Sequence, residues 1–358
     1  MKKILALVMS MALVMFVLAG CGKGATETPG GNGGGVAPGG SDGGGNAAAG
    51  DLKTGFAVIT SITKSTDAGD NPGLAQVDST VAAVTVDAQG KIVNAVFDAV
   101  QTKINFTAEG KITTPLDTNV RTKQELKTEY GMSKASGIGK DWNEQADAFA
   151  EYVKGKTISE VKGIALNDSG APADAELSSS VTIHVTDLIA VLEKAVNNAQ
   201  ALGAKPGDKL GLGIVTTISN SADATAGKDG VAQAYSIYTA ATFGADGKIT
   251  SSIIDGSQSN VNFNTSGKIT TDLQNANLQT KNELGDQYGM RKASGIGKEW
   301  NEQAAAFAEY VKGKTISEVK GISLNEEGRP AEADLTSSVT VHVTDFISVL
   351  EKASQNAR

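Results

Sequence analysis

The chain is poor in the residues that carry most autonomous chemistry. Its 358 residues include one cysteine, Cys21, and two histidines, His184 and His342. A single thiol excludes an intrachain disulfide. With no second cysteine and no HxxH or HxxxH pair, the common cysteine- and histidine-based zinc motifs are absent. A hydrolytic triad needs a base beside its nucleophile, and Thr182 and His184 point the same way only on a strand, diverging on a helix. Gly137-Ile-Gly-Lys140 lacks the upstream glycine and the following Ser or Thr of a phosphate loop. Aromatics make up 5% of the chain, so its cores must be built from Val, Ile, Leu and Ala. Positive charge is also in deficit: 32 Lys and Arg against 40 Asp and Glu give a net charge of -8, with no basic run beyond the first residues. That argues against a nucleic-acid partner. What remains is a binding, structural or cofactor-carrying role.

The N-terminus does carry a signal. Lys2 and Lys3 precede an apolar run from Ile4 to Val17, and Leu18-Ala19-Gly20-Cys21 resembles a bacterial lipobox. The resemblance implies a signal peptide over residues 1–20, cleavage before Cys21 and a lipid on its thiol. The protein is then expected at the cell membrane, lipid-anchored on the extracytoplasmic face. The remainder of segment 21–50 is dominated by glycine and small residues, with too little apolar surface to offset the entropy of ordering it. It reads as a flexible tether with a root-mean-square span of roughly 30 Å.

The remainder is duplicated. Phe149 to Ile164 recurs unchanged as Phe307 to Ile322, and Lys134 to Lys140 as Lys292 to Lys298, each 158 residues on. Solenoid repeats run about 20 to 50 residues, so this period predicts two homologous domains in tandem, over 51–203 and 204–358. In each, apolar β-branched runs come first. Phe56 to Ile62 and a hairpin of Ser79–Val86 and Lys91–Phe97 around Asp87-Ala-Gln-Gly90 are expected strands, with a further one near 102–106 and its counterpart near 260–264. Helices follow. Trp142, Ala146, Phe149 and Val153 share a face, Gly155 is placed to stop that helix, and Thr157-Ile-Ser-Glu160 has capping-box spacing. The expected class is α+β: two tandem domains, each an antiparallel sheet with helices packed on one face.

Both halves end on one pattern, Glu176-Leu-Ser-Ser179-Ser180-Val-Thr182-Ile-His184 and Asp334-Leu-Thr-Ser337-Ser338-Val-Thr340-Val-His342, followed by an amphipathic helix. With Thr54-Gly-Phe56, the 87–92 hairpin and Tyr152-Val-Lys-Gly-Lys-Thr157, this stretch resembles the covalently flavinylated FMN-binding domains. The tandem behind a lipobox is similar to the flavin lipoproteins of Gram-positive extracellular electron transfer, of the pheromone lipoprotein A type. The resemblance implies FMN esterified to Thr182 and Thr340 by a separate flavin transferase. Glu176, Ser179 and Ser180, and Asp334, Ser337 and Ser338, then form the recognition motif, with Ser and Val where many members have Gly and Ala. It also implies an electron carrier rather than an enzyme, fed by a membrane NADH dehydrogenase or quinone system and discharging to extracellular acceptors. A non-redox ligand-binding or adhesive surface lipoprotein is the competing class.

The residues leave the following helix with two possible starts, just after Thr182 or at Thr186, because Val181 to Val185 also alternates like a strand. The resemblance favours the earlier one, which places a helix N-terminus at the phosphate. Trp142 and Trp300 read either as core or as platforms for the flavin ring. His184 and His342 read as phosphate or flavin contacts or as exposed helix residues. The loops holding Gly137, Gly139, Gly295 and Gly297 read as places for close backbone approach or as plain leaders to a helix.

Overall fold

β-branched and small apolar residues dominate the first part of each half, and the structure pairs them as sheets. The computed structural model describes residues 50–358; the expected signal segment, Cys21 and the expected tether up to residue 49 lie outside the described residues. β1 (Lys53–Ser61), β2 (Gly73–Val86) and β3 (Ile92–Phe106) form an antiparallel sheet in the order β1-β2-β3. Its register opposes Phe56 to Ala83 and Val81 to Asp98. The 87–90 turn forms as expected: Gly90 N donates to Asp87 O at 3.1 Å with Gly90 at φ +75. The expected separate strand near 102–106 is instead the end of β3. No Gly or Pro interrupts residues 98–101, and their ladder to β2 continues unbroken.

The helices of this half are α1 (Lys123–Leu126), α2 (Trp142–Val153), α3 (Ile158–Lys162), α4 (Ala175–Ser178) and α5 (Thr186–Asn197). Gly155 takes φ +75 just past α2, and Thr157 and Glu160 complete the capping box that opens α3. The second half repeats the plan with β4 (Lys209–Thr217), β5 (Gly230–Phe243) and β6 (Ile249–Phe263), then α6 (Lys281–Leu284), α7 (Trp300–Tyr310), α8 (Ile316–Lys320), α9 (Ala333–Thr336) and α10 (Thr344–Gln355). The segment expected near 260–264 likewise belongs to β6. Among the described residues no helix is long and apolar enough to cross a membrane.

Strand alternation assigns the two faces of each sheet. In the first half Ala82, Val84, Ala95 and Phe97 face α2 and α5, meeting Phe149, Val153, Leu188 and Leu192. The opposite face, Phe56, Val58, Val81, Ala83 and Val96, packs on Leu210, Leu212, Ile214, Tyr238 and Ala240 of the other sheet. The described residues are thus one compact unit of four layers, helices–sheet–sheet–helices. Sheets covered on both faces explain why the strands read as nearly continuous small apolar runs.

The halves meet as an isologous pair within one chain. Phe106 stacks on Phe263 with centroids 4.2 Å apart. Ile112 N donates to Asp223 and Ile269 N to Asp67, both at 2.8 Å, and the ion pairs Lys194–Glu283 and Lys352–Glu125 are likewise related by the repeat. Half-exposed ion pairs of this kind add little. The buried apolar layer between the sheets carries the association.

Candidate functional site

The recurring Thr-containing stretch folds as a short connector between α4 and α5. Asp174 opens α4 by accepting from Leu177 N at 2.8 Å. Ser179 and Ser180 then donate their hydroxyls back to Glu176 O and Leu177 O at 2.8 and 3.2 Å, closing the turn. Val181 and Val185 are buried in the helix-side core, leaving Thr182 and His184 facing outward. The helix begins at Thr186, with Val185 at its N-cap. The earlier start favoured by the resemblance is therefore wrong, and in the second half α10 likewise begins at Thr344.

The physical reason is a competitor for the backbone. Thr182 N and Ile183 N both donate to the side-chain oxygen of Gln145, at 2.7 and 3.2 Å, and the Thr182 hydroxyl donates to it at 3.1 Å. The Gln145 amide nitrogen in turn donates to Ser136 Oγ at 3.2 Å and Lys140 O at 3.0 Å. One fully buried side chain on α2 thus ties the 136–140 loop to the Thr182 loop. Gln303 repeats it, accepting from Thr340 N, the Thr340 hydroxyl and Val341 N and donating to Ser294 and Lys298 O. Sequence reasoning missed both glutamines. The available signal was a polar residue three positions after Trp142 and four before Phe149, on the buried face of an amphipathic helix, in both copies.

Beside Thr182 opens a cavity of about 550 Å³, within the range of roughly 300–1,000 Å³ usual for small-molecule sites. Lys64 and Lys123 line it with Tyr130, Trp142, Gly137 and His184. The floor is sheet, through Thr80 and Ala99, and the far wall is the first turn of α5 through Asp187 and Leu188. Lys123 Nζ lies 4.7 Å from the Tyr130 ring centre and 5.1 Å from that of Trp142. Trp142 is 7% exposed, so it belongs to the core while contributing to the lining. His184 is exposed and makes no hydrogen bond to Thr182.

Of the residues singled out in the sequence, Thr182, His184, Gly137 and Trp142 are brought together at this cavity. Glu176, Ser179 and Ser180 do not line it; they build the turn behind Thr182, as Ser337 and Ser338 do behind Thr340, donating to Asp334 O and Leu335 O. Gly139 and Gly297 take φ +67 and +64, shaping loops rather than lining the cavity at Thr182, and Gly295 occupies the place of Gly137 in the second loop.

Under the cavity floor lies a buried carboxyl. Asp98 accepts from Ala99 N at 2.7 Å and Gln124 N at 3.1 Å, and burial pushes its pKa from 3.8 to about 7 against those hydrogen bonds. Asp255 repeats this, also at about 7. The native state then holds more protons than the unfolded chain between pH 3.8 and 7. This contribution is absent below the unfolded pKa and destabilises progressively as pH rises toward the folded one. Asp98→Asn keeps the accepting oxygen without the charge. Its stability relative to wild type is expected to rise between pH 4 and 7, by up to about 1.4 kcal/mol per pH unit, in urea denaturation series at each pH. A difference independent of pH would refute the buried carboxyl.

No protein-family model matches the chain, and no solved structure matches it. A chlorophenol reductase of Desulfitobacterium hafniense is 52% identical over 44 residues, which is 12% of this chain and 14% of that protein. The match therefore spans about a seventh of the relative's length.

Proposed function

We propose that the protein is a carrier of covalently held FMN, one on each half, anchored by a lipid at Cys21 outside the membrane. The observation that supports this reading most is the setting of Thr182: an exposed hydroxyl on a loop clamped by a buried glutamine, at the rim of a cavity with aromatic and cationic lining, repeated in its loop and clamp at Thr340. The donor set suits FMN. Trp142, Tyr130, Met132 and Leu188 offer apolar and aromatic surface to a flat ring, and Lys64, Lys123 and His184 offer charge or hydrogen bonds to a phosphate.

Attachment joins the threonine Oγ to the FMN phosphorus of FAD as the pyrophosphate bond breaks. AMP leaves, and the hydroxyl proton passes to a base of the flavin transferase. This chain contributes position rather than activation, since an amide oxygen is the acceptor nearest the hydroxyl and is no base at neutral pH. Esterification gives up one hydrogen bond of 3.1 Å, while Thr182 N and Ile183 N keep the loop on Gln145. Bound FMN supplies one- and two-electron redox chemistry. Electrons come from a membrane NADH dehydrogenase or quinone system and leave to extracellular acceptors.

Thr182→Ala with Thr340→Ala is expected to remain folded and, after coexpression with a flavin transferase, to lack the yellow colour and the mass of FMN less one water per site. Covalent flavin persisting in the double variant refutes the assignment. A wild-type chain that stays colourless beside a transferase active on a control substrate points to a ligand-binding lipoprotein instead.

A further inference from the structure

The two copies of the site differ inside. Strand register places Tyr235 where the first half has Asp78, since each lies opposite a glutamine, Gln258 and Gln101. Asn220 precedes Ser221 as Lys64 precedes Ser65, and those serines each accept from a β-strand glutamine N, Gln233 and Gln76. The first site therefore carries a Lys64–Asp78 pair at 2.9 Å. The cleft there continues over the sheet as a further 430 Å³ lined by Asp78, Lys64 and Thr80.

In the second half that path holds Tyr235. Lys281, the counterpart of Lys123, lies 4.6, 4.8 and 4.7 Å from the ring centres of Tyr235, Tyr288 and Trp300, and donates to Tyr235 Oη at 3.0 Å. Lys281 is 3% exposed, whereas Lys123 is half-buried. The floor is cut back to match. Gly256 replaces Ala99, and a Cβ at 256 would meet Ile237 Cδ1 at 3.0 Å and Lys281 Cδ at 3.4 Å. Phe346 replaces Leu188 and meets Trp300 edge-on at 5.5 Å. Burial among these rings lowers the Lys281 pKa to about 8, opposed by the charge of Asp255.

We propose that Tyr235 is a plug that makes the second copy a closed form of the site: a flat ring enters beside Thr182 directly, but beside Thr340 only after Tyr235 turns away and Lys281 leaves its cage. The identity of the ring rests on the flavin reading; the closure does not. A ligand that must first open its site is taken up in proportion to the open fraction.

Limited acetylation of the mature chain with acetic anhydride, read peptide by peptide, tests the plug without any flavin. Compared per free amine, from the pH dependence of each lysine's labelling, Lys281 is expected to react at least about tenfold more slowly than Lys123, and Tyr235→Asp with Asn220→Lys, the first copy's pair, to abolish the difference. Tyr235→Ser serves if the introduced pair impairs folding, and Asp78→Tyr with Ala99→Gly, which cuts the floor back as in the second half, should slow Lys123 in turn. Wild-type Lys281 reacting as fast per free amine as Lys123 overturns the proposal. With limiting transferase and FAD, flavin should appear on the Thr182 peptide before the Thr340 peptide, and together in Tyr235→Asp with Asn220→Lys; simultaneous filling in wild type also overturns it. Flavin on neither peptide, with Lys281 still protected, removes the flavin reading and leaves the plug.

Discussion

Gly213→Ala is expected to destabilise the protein by about 3 kcal/mol, at the upper end of what overpacking costs in a well-packed interior. A Cβ built at residue 213 would stand 1.9 Å from Val349 O and 2.7 Å from Val349 C, both backbone atoms of α10. No side-chain rotation relieves that contact; the helix must move off the strand. Moving it also disturbs what the helix supplies to the free edge of β4, where Asn356 accepts from Leu212 N and donates to Leu212 O, and Lys352 donates to Ile214 O. Gly211 and Gly55 stand in the same relation to Ala353 O and Ala195 O, at 2.0 and 2.1 Å. Gly163→Ala is the control. Its φ is -80 and its nearest neighbours lie at 3.4 and 3.6 Å, so a change within about 0.5 kcal/mol is expected. Urea midpoints for the two variants settle it, and equal shifts would mean that the helix does not lie so close.

The strand glycines show which parts of the fold could be read from sequence. Helix faces and caps were legible, because Trp142, Phe149 and Val153 keep a 3.6-residue period and Thr157 with Glu160 keeps cap spacing, both local properties of the chain. The repeat made the tandem halves legible too. Strand lengths were not, since the residues that carry β3 past Asp98 are stabilised by the other half packed on the far face. Nor was the start of α5. The β-branched run Val181 to Val185 left both starts open, and what decided between them was Gln145, 37 residues away in sequence. The same distance hid the clamp itself, because a lone glutamine on a helix reads as surface until its partners are in place. At the second site, the exchange of Asp78 for Tyr235 is visible in an alignment of the two halves, but its effect depends on Lys281 and Tyr288 of one segment and Trp300 of another converging on it.

Gln145→Leu is expected to cost about 2–4 kcal/mol, and its contrast with Thr182→Ala separates the scaffold of the site from the proposed point of attachment. Leucine has nearly the volume of glutamine and suits a buried helix face, so packing alone predicts little change. The loss comes from hydrogen bonding. Thr182 N and Ile183 N lose their common acceptor, Ser136 and Lys140 O lose a donor, and each polar group left buried and unpaired costs roughly 1–3 kcal/mol. Water reaches the outward-facing Thr182 loop and the half-buried Ser136 and Lys140 and recovers most of this, so the total falls to about that of one or two unpaired groups. Thr182→Ala removes an exposed hydroxyl whose one partner retains two backbone donors, and is expected to cost less than about 1 kcal/mol. The leucine variant should also increase amide hydrogen exchange at residues 136–140 and 181–184 together, since one side chain holds both loops. Exchange rising in only one of them would show that the loops are ordered independently and that Gln145 is a core residue with incidental hydrogen bonds. If they rise together, the Thr182 hydroxyl is presented by a clamp built across two segments, and the same experiment at Gln303 reports on Thr340.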